Sequence, residues 1–282
     1  PPASGANVRK RGSDARQGEV VLTAGTRLDA TELAILAAVG EVNPLVNASP
    51  RVAHATTGDE IVPPESIPGP GQIRNTNQIL ISSLLQNCRI PAANIHQEHW
   101  GDDPILAADR LGSEAFAKAD IILISGGASV GDHDYTARIL EAAGFEIVMR
   151  RVNMRPGRPL ILAFRGKQIA FGLPGNPVSH FVCFGLFVRH ALKRLMDKKM
   201  LHWRWPIFGK FSLSQPLKNA ANIRPTFWPA RLNMIPHNVE PLAWNNSGHL
   251  GSLAGANALI FLPPKTAELL AGEKVRTLML RP

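Results

Sequence analysis

Hydrophobic positions in this chain come in short blocks separated by glycine- and proline-rich breaks, and from Arg51 onward the blocks alternate between two periods. An apolar run at Arg51–Thr56 predicts a strand, helical spacing follows at Thr76–Cys88, a second strand pattern at Asn94–His99, and a helix at Asp103–Lys118. The run Asp120–Ser125 predicts a buried strand. After it the pattern predicts a helix at Tyr135–Ala143, strands at Phe145–Val152, Leu160–Phe164 and Gln168–Leu173, and a long apolar helix at Pro177–Met196. Strands that alternate with helices predict an α/β fold, a doubly wound and mainly parallel sheet covered on both faces.

The flanks follow other patterns. Gly18–Leu28 reads as a strand, a turn and a short strand, and Asp29–Val39 as a helix with Thr31 as N-cap and Gly40 closing it. Pro1–Gly12 begins with two prolines and has no N-cap or apolar lead-in, which suggests a start inside a larger element. After Met196 the helical period stops, and residues 201–282 carry short strands, many prolines and the run ANALIFLP, the pattern of a small barrel-like β domain. The expected division is 1–45 as the remnant of an N-terminal domain with its linker, 46–198 as the α/β domain, and 199–282 as the β domain.

Composition narrows the class without choosing the chemistry. At 282 residues and 45% hydrophobic content the chain can bury a core. It has no run of eighteen apolar residues and no basic-then-apolar leader, so neither a membrane span nor a signal peptide is expected. Cys88 and Cys183 lack ligand-like spacing and read as free thiols in a reducing cytoplasm. A net charge of +9, from 31 basic and 22 acidic residues, attracts anions in general. The basic runs are not interleaved with aromatics, so nucleic acid is not the expected partner.

The chemistry concentrates in loops after predicted strands. In IILISGGASVGDHDY at 121–135 a buried strand runs into Ser125-Gly126-Gly127, then Ser129, Gly131 and a cluster of Asp132, His133 and Asp134 at a helix start. Glycines let a backbone approach a phosphate, the Ser125 and Ser129 hydroxyls can donate, and Asp132 and Asp134 can hold a hard cation. The competing reading is a tight turn with a capping Asp. Gly58, Asp59 and Glu60 follow the first strand of the domain, and Asn75-Thr76-Asn77 opens a helix that either asparagine could simply cap. In Met154-Arg155-Pro156-Gly157-Arg158-Pro159 two prolines fix the backbone around two arginines, an arrangement suited to a tetrahedral oxyanion or a phosphate. Leu173-Pro174-Gly175-Asn176-Pro177-Val178-Ser179 is a further strand-to-helix loop. In a doubly wound sheet all these loops reach one edge.

TGDE at 57–60, GPGQI at 69–73, SGGASVGDHDY at 125–135, MRPGRP at 154–159 and LPGNPVS at 173–179 resemble, in this order, the molybdopterin molybdenumtransferases. That family includes bacterial MoeA and the C-terminal domain of gephyrin. The resemblance implies a molybdopterin-binding α/β domain and a transferase that inserts molybdate into adenylylated molybdopterin, releasing AMP with the help of Mg2+. It implies that Asp134 and Asp59 are catalytic, with Asp134 and Asp132 near the metal. Gly58, Asn77, Ser125, Gly126, Gly127, Ser129, Gly131, Pro174, Gly175 and Asn176 would bind molybdopterin-AMP. Arg155, Arg158, Ser179, Arg224 and Ser247 would surround molybdate. It further implies a cytoplasmic homodimer supplied by an upstream molybdopterin adenylyltransferase, with no membrane partner. Asn75 stands where the family often has Asp, and Arg155 and Arg158 replace two lysines. The family's lid-like N-terminal domain is missing apart from its returning segment at 5–40. Competing readings are the adenylyltransferase itself, against which SGGAS and residues 201–282 argue, and a non-catalytic scaffold that keeps the fold.

Overall fold

The computed structural model describes residues 3, 5–126, 132–196, 208–219 and 222–280, with the side chains of 132–134 outside that description. These residues fall into two compact units, one ending at Ala48 and the other starting at Ser49. In the first unit the expected strands at Gly18–Leu28 are absent. The segment consists of turns such as Glu19 N–H to Arg16 O and Thr26 N–H to Thr23 O, with Gly18 and Gly25 at φ +83° and +90° interrupting the extended run. Helix α1 (Ala30–Ala38) is present, but its cap is Asp29 and not Thr31. Asp29 and Glu32 form a reciprocal capping box, which leaves Thr31 inside the first turn. Gly40, at φ +82°, closes the helix, with Glu41 N–H on Leu36 O and Gly40 N–H on Ala37 O.

The second unit opens with β1 (Val52–Thr57), in which every residue is buried. Two short strands, β2 (Ile61–Val62) and β3 (Ile73–Arg74), pair in parallel where only turns are expected. They close the largely exposed 63–72 segment into a loop and lead into α2 (Thr76–Asn87), which packs beside β1. Strand β4 (Ile95–Trp100) follows. The single helix expected at Asp103–Lys118 is two helices, α3 (Pro104–Arg110) and α4 (Glu114–Ala117). The break falls at Gly112 and Ser113, both weak helix formers, and Ser113 takes extended angles to start α4. Next come β5 (Ile121–Ser125), α5 (Asp132–Ala142), β6 (Glu146–Met149), β7 (Ile161–Arg165) and β8 (Gln168–Leu173). The long helix is α6 (Pro177–Cys183) and α7 (Arg189–Met196), joined through a π-helical segment Phe184–Val188.

The strand order is β4-β1-β5-β8-β7-β6, with β4, β1, β5 and β8 parallel and β7 and β6 antiparallel at one edge. Core side chains cover both faces. Val52, Leu123 and Leu173 meet Ile81 and Leu85 of α2 and Phe181 of α6, while Ala53, Ile122 and Ile124 meet Phe116 of α4 and Leu140 of α5. The chain then builds β9 (Phe208–Leu213), β10 (Leu217–Lys218), β11 (Thr226–Asn233), β12 (Asn238–Pro241), β13 (Ala258–Leu262), β14 (Glu268–Leu269) and β15 (Lys274–Met279). Strands β11-β12-β9-β15-β13 close a barrel, as the ANALIFLP run predicts. Leu259 and Leu278 turn away from the barrel interior and join the core beside α6 and the π segment.

Candidate functional site

Parallel pairing brings the ends of three strands level. Thr56 is in register with Ser125, and Ser125 with Leu173, so the loops that leave β1, β5 and β8 start from one line. Backbone and hydroxyl bonds tie these ends: Thr57 Oγ1 donates to Ser125 O at 3.2 Å, Gly126 N–H to Leu173 O at 3.3 Å, and Gly58 N–H to Trp100 O at 3.2 Å. Gly58, at φ +130°, leaves β1 in a conformation open to glycine.

The Asn75-Thr76-Asn77 triplet divides its work. Asn75 is buried, caps α2 through Gln78 N–H at 3.1 Å and donates to Thr56 Oγ1 at 2.8 Å. Asn77 reaches across to the next loop, donating to Gly175 O at 2.6 Å, and its Oδ1 is buried without a partner. Asn176 in turn donates to Ser247 Oγ at 3.0 Å, and Val178 N–H bonds Ser247 O at 3.1 Å. The 173–177 loop is thus held between α2 and a loop of the β domain.

Arg155 sits at the same junction. Its N–H bonds Pro225 O at 2.9 Å and its carbonyl receives Phe227 N–H at 2.8 Å, so its backbone runs as a bridge beside Thr226. Its guanidinium lies 4.9 Å above the Trp244 ring, and Trp244 donates to Asn246 O at 2.6 Å, next to Ser247. Arg224, half-buried, lies two residues before Thr226 in a turn closed by Asn222 Oδ1. Arg155, Arg224, Asn176 and Ser247 therefore border one junction. Arg158 is exposed at the end of the same proline-bounded loop, and Ser179 is buried on α6 facing it, its carbonyl 3.6 Å from where a Cβ on Gly157 would stand.

Asp59 is exposed and exchanges bonds with Asp102: each main-chain N–H donates to the other's carboxylate at 3.2 Å. Tyr135 donates to Gly101 O at 2.9 Å, and partial burial, followed by the charges of Asp102, Asp103 and Asp59, pushes its phenol up to about 12. This corner is strongly negative. Among the described residues no group of three or more His, Cys, Asp or Glu side chains is arranged around a cation. Gly127, Ser129 and Gly131 lie outside the described residues, as do the side chains of Asp132 and Asp134.

One expectation is corrected. The Ser125 hydroxyl does not face a ligand. It is buried between the rings of His54 and His180, at 2.7 and 2.6 Å, because even positions of β1 and odd positions of β5 share the face that lies under α6. Gln97, Trp244, His54 and His180 were not expected at the site. The signal for the two histidines is a titratable ring set inside a mainly apolar strand (VAHAT) and a mainly apolar helix (PVSHFVC).

Residues 53–194 match the family described as a probable molybdopterin binding domain, residues 1–40 the MoeA N-terminal region (domains I and II), and residues 213–280 the MoeA C-terminal region (domain IV). A molybdopterin molybdenumtransferase from a Nostoc species is 35% identical over 290 residues, covering 99% of this chain and 64% of that protein. One from Staphylococcus epidermidis is 29% identical over 276 residues, covering 97% of this chain and 64% of that protein. The chain thus spans just under two thirds of the length of these relatives. A crystal structure of the molybdopterin biosynthesis MoeA protein from Pyrococcus horikoshii superposes with a TM-score of 0.74 at 26% identity, covering 95% of this chain and 64% of that one.

Proposed function

We propose that this chain, which belongs to the MoeA-type family built on the molybdopterin-binding domain, carries the substrate site of a molybdopterin molybdenumtransferase. On this reading adenylylated molybdopterin and molybdate meet at the strand-end loops, molybdenum enters the pterin dithiolene, and AMP leaves. The observation that carries the reading is the junction at which Arg155, Arg224, Asn176 and Ser247 are drawn to one border by bonds between the 154–159 and 173–178 loops and the β domain. Two guanidinium groups among amide and hydroxyl donors suit an oxyanion such as molybdate, since charge-assisted bonds from Arg are its strongest ligands.

The remaining roles divide by chemistry. Main-chain N–H groups of Gly127, Gly131 and Gly175 would cradle phosphate oxygens, while Gly58 and Gly126, whose own N–H groups bond Trp100 O and Leu173 O, would with Ser129, Pro174 and Asn77 shape the walls. Arg158 and Ser179 would complete the molybdate side. Asp59, Asp132 and Asp134 would offer the hard carboxylate oxygens that Mg2+ takes, with Asp102 adding charge beside Asp59. Magnesium bound there would screen the adenylyl phosphate charge. We extend the reading to a cytoplasmic homodimer fed by a molybdopterin adenylyltransferase, without nucleic-acid or membrane partners. No helix among the described residues is long and apolar enough to cross a membrane.

The test is AMP release from adenylylated molybdopterin with and without molybdate. Molybdate-dependent release that Asp134→Asn abolishes, with folding retained, supports the assignment, because the amide keeps the shape and removes the charge. Release at the parental rate in that variant, or none in the parent, overturns it.

A further inference from the structure

A buried hydrogen-bonded chain runs beneath the carboxyl edge of the sheet and joins the end of β5 to the first turn of α6. Gln97 on β4 donates from Nε2 to the Gln78 carbonyl at 2.9 Å and contacts Nδ1 of His54 at 2.9 Å. His54 on β1 meets the Ser125 hydroxyl through Nε2 at 2.7 Å, and Ser125 at the end of β5 meets Nε2 of His180 on α6 at 2.6 Å. Both rings are fully buried and Ser125 keeps 3% of its surface.

The direction of the protons follows from the donor inventory. An amide nitrogen only donates, and the bond to the Gln78 carbonyl fixes which end of the Gln97 amide faces His54. Nδ1 of His54 is therefore an acceptor and its proton sits on Nε2, so Ser125 accepts there and passes its own proton to His180 Nε2. His180 then carries its proton on Nδ1, a buried nitrogen on the side of the Pro174 and Asn176 backbone, in the helix that follows the 173–177 loop directly. Such a chain is a poor way to gain stability. Apolar side chains of the same volume would fill this layer between the sheet and α6 without desolvating four polar groups.

We infer that His54, Ser125 and His180 form a positioning relay that fixes the spacing between the end of β5 and the first turn of α6, and with it the two loops that grip the anionic substrate. The inference rests on the site reading given above. The relay acts through the backbone: the Ser125 carbonyl receives Thr57 Oγ1, and Gly126 N–H bonds Leu173 O, so a shift at Ser125 moves three strand ends together. Its members are buried and spend their polar atoms on one another, which makes them positioning and not catalytic residues. Burial, with His180 nearby, lowers His54 to about 3, and burial lowers His180 to about 4, so the relay stays neutral and keeps its direction at neutral pH.

The test has a spectroscopic arm and a loop arm. In 15N-histidine-labelled protein at pH 7, His54 is expected protonated on Nε2 and His180 on Nδ1. Ser125→Ala and His180→Leu are expected to raise amide exchange at Gly126, Gly175 and Asn176 about tenfold relative to interior amides of β1, the scale of one lost buried hydrogen bond. They should also weaken binding of AMP with magnesium by a similar factor. His180→Gln, whose Oε1 can still accept from Ser125, should recover most of both. Unchanged exchange at those three amides while the melting temperature falls would reduce the network to packing, and the opposite tautomers would overturn the relay outright. If the parent binds no AMP, the functional reading fails by itself, and the tautomer and exchange results still decide the relay.

Discussion

Gly157 and Arg155 show how much of the junction rests on single residues. Gly157 has φ +91°, and a Cβ there would stand 2.5 Å from Cys183 Sγ and 2.9 Å from Met154 Cε. Gly157→Ala therefore combines a left-handed strain with overpacking, an expected loss of roughly 2–4 kcal/mol. Gly166, at φ +59° with nothing within 4 Å of its Cβ position, supplies the control, for which only the strain of about 1–2 kcal/mol is expected. Thermal unfolding of the two variants side by side measures the difference, and equal losses would show that the crowding at Gly157 relaxes away. Arg155→Ala leaves the backbone bonds to Pro225 and Phe227 in place, so the variant should fold and lose oxyanion affinity by about 10- to 100-fold, the equivalent of about 1.5–3 kcal/mol. Arg155→Lys keeps the charge but not the flat stack on Trp244, and should fall between. Calorimetric titration with molybdate reads both, and parental affinity in the Ala variant would confine Arg155 to a structural role.

At the scale of elements, β1, β5 and α6 are tied by groups that must stay uncharged. His54 and His180 have folded pKa values near 3 and 4, lowered first by burial, against about 6.5 in the unfolded chain. The unfolded chain therefore takes up protons that the fold refuses. Stability should be complete above about pH 6.5 and should fall as the pH drops toward 4. Two such groups remove roughly 2–4 kcal/mol between pH 7 and pH 5. Urea midpoints across that range test it. The paired change His54→Leu with His180→Leu should flatten the slope, and a slope that persists undiminished would assign the acid sensitivity to other groups.

At the scale of the whole molecule, residues 49–280 should unfold as one body. Leu259 and Leu278 of the barrel lie in the α6 core, Leu280 fills the space that a side chain at Gly185 would occupy, and Arg189 donates to the Leu280 carbonyl. Leu278→Ala removes a fully buried side chain from the shared core, at a cost of about 2–5 kcal/mol. Amide-exchange protection in β5 and in β13 should drop by the same amount, although only β13 belongs to the barrel. A loss confined to β13 would show that the α/β sheet and the barrel open separately.

The parts that could be read along the chain are those in which one residue's environment repeats in its neighbours. Buried parallel strands such as Ile121–Ser125 are continuous apolar runs, the ANALIFLP run is a short apolar block closed by proline, and glycine and proline mark the loops at 58, 126, 157 and 175. What escaped are relations between distant segments: the break between α3 and α4, the β2–β3 ribbon, the antiparallel edge at β6 and β7, and the bonds from Asn77 to Gly175 and Asn176 to Ser247. Ser125 is the clearest case. Its position after a buried strand and before glycines is visible in the sequence and points to a ligand loop, but the direction of its hydroxyl depends on His54 and His180, 71 and 55 residues away. Periodicity reports whether a position is buried, whereas its hydrogen-bond partner is set by which strands and helices pack side by side, and only the tertiary structure decides that.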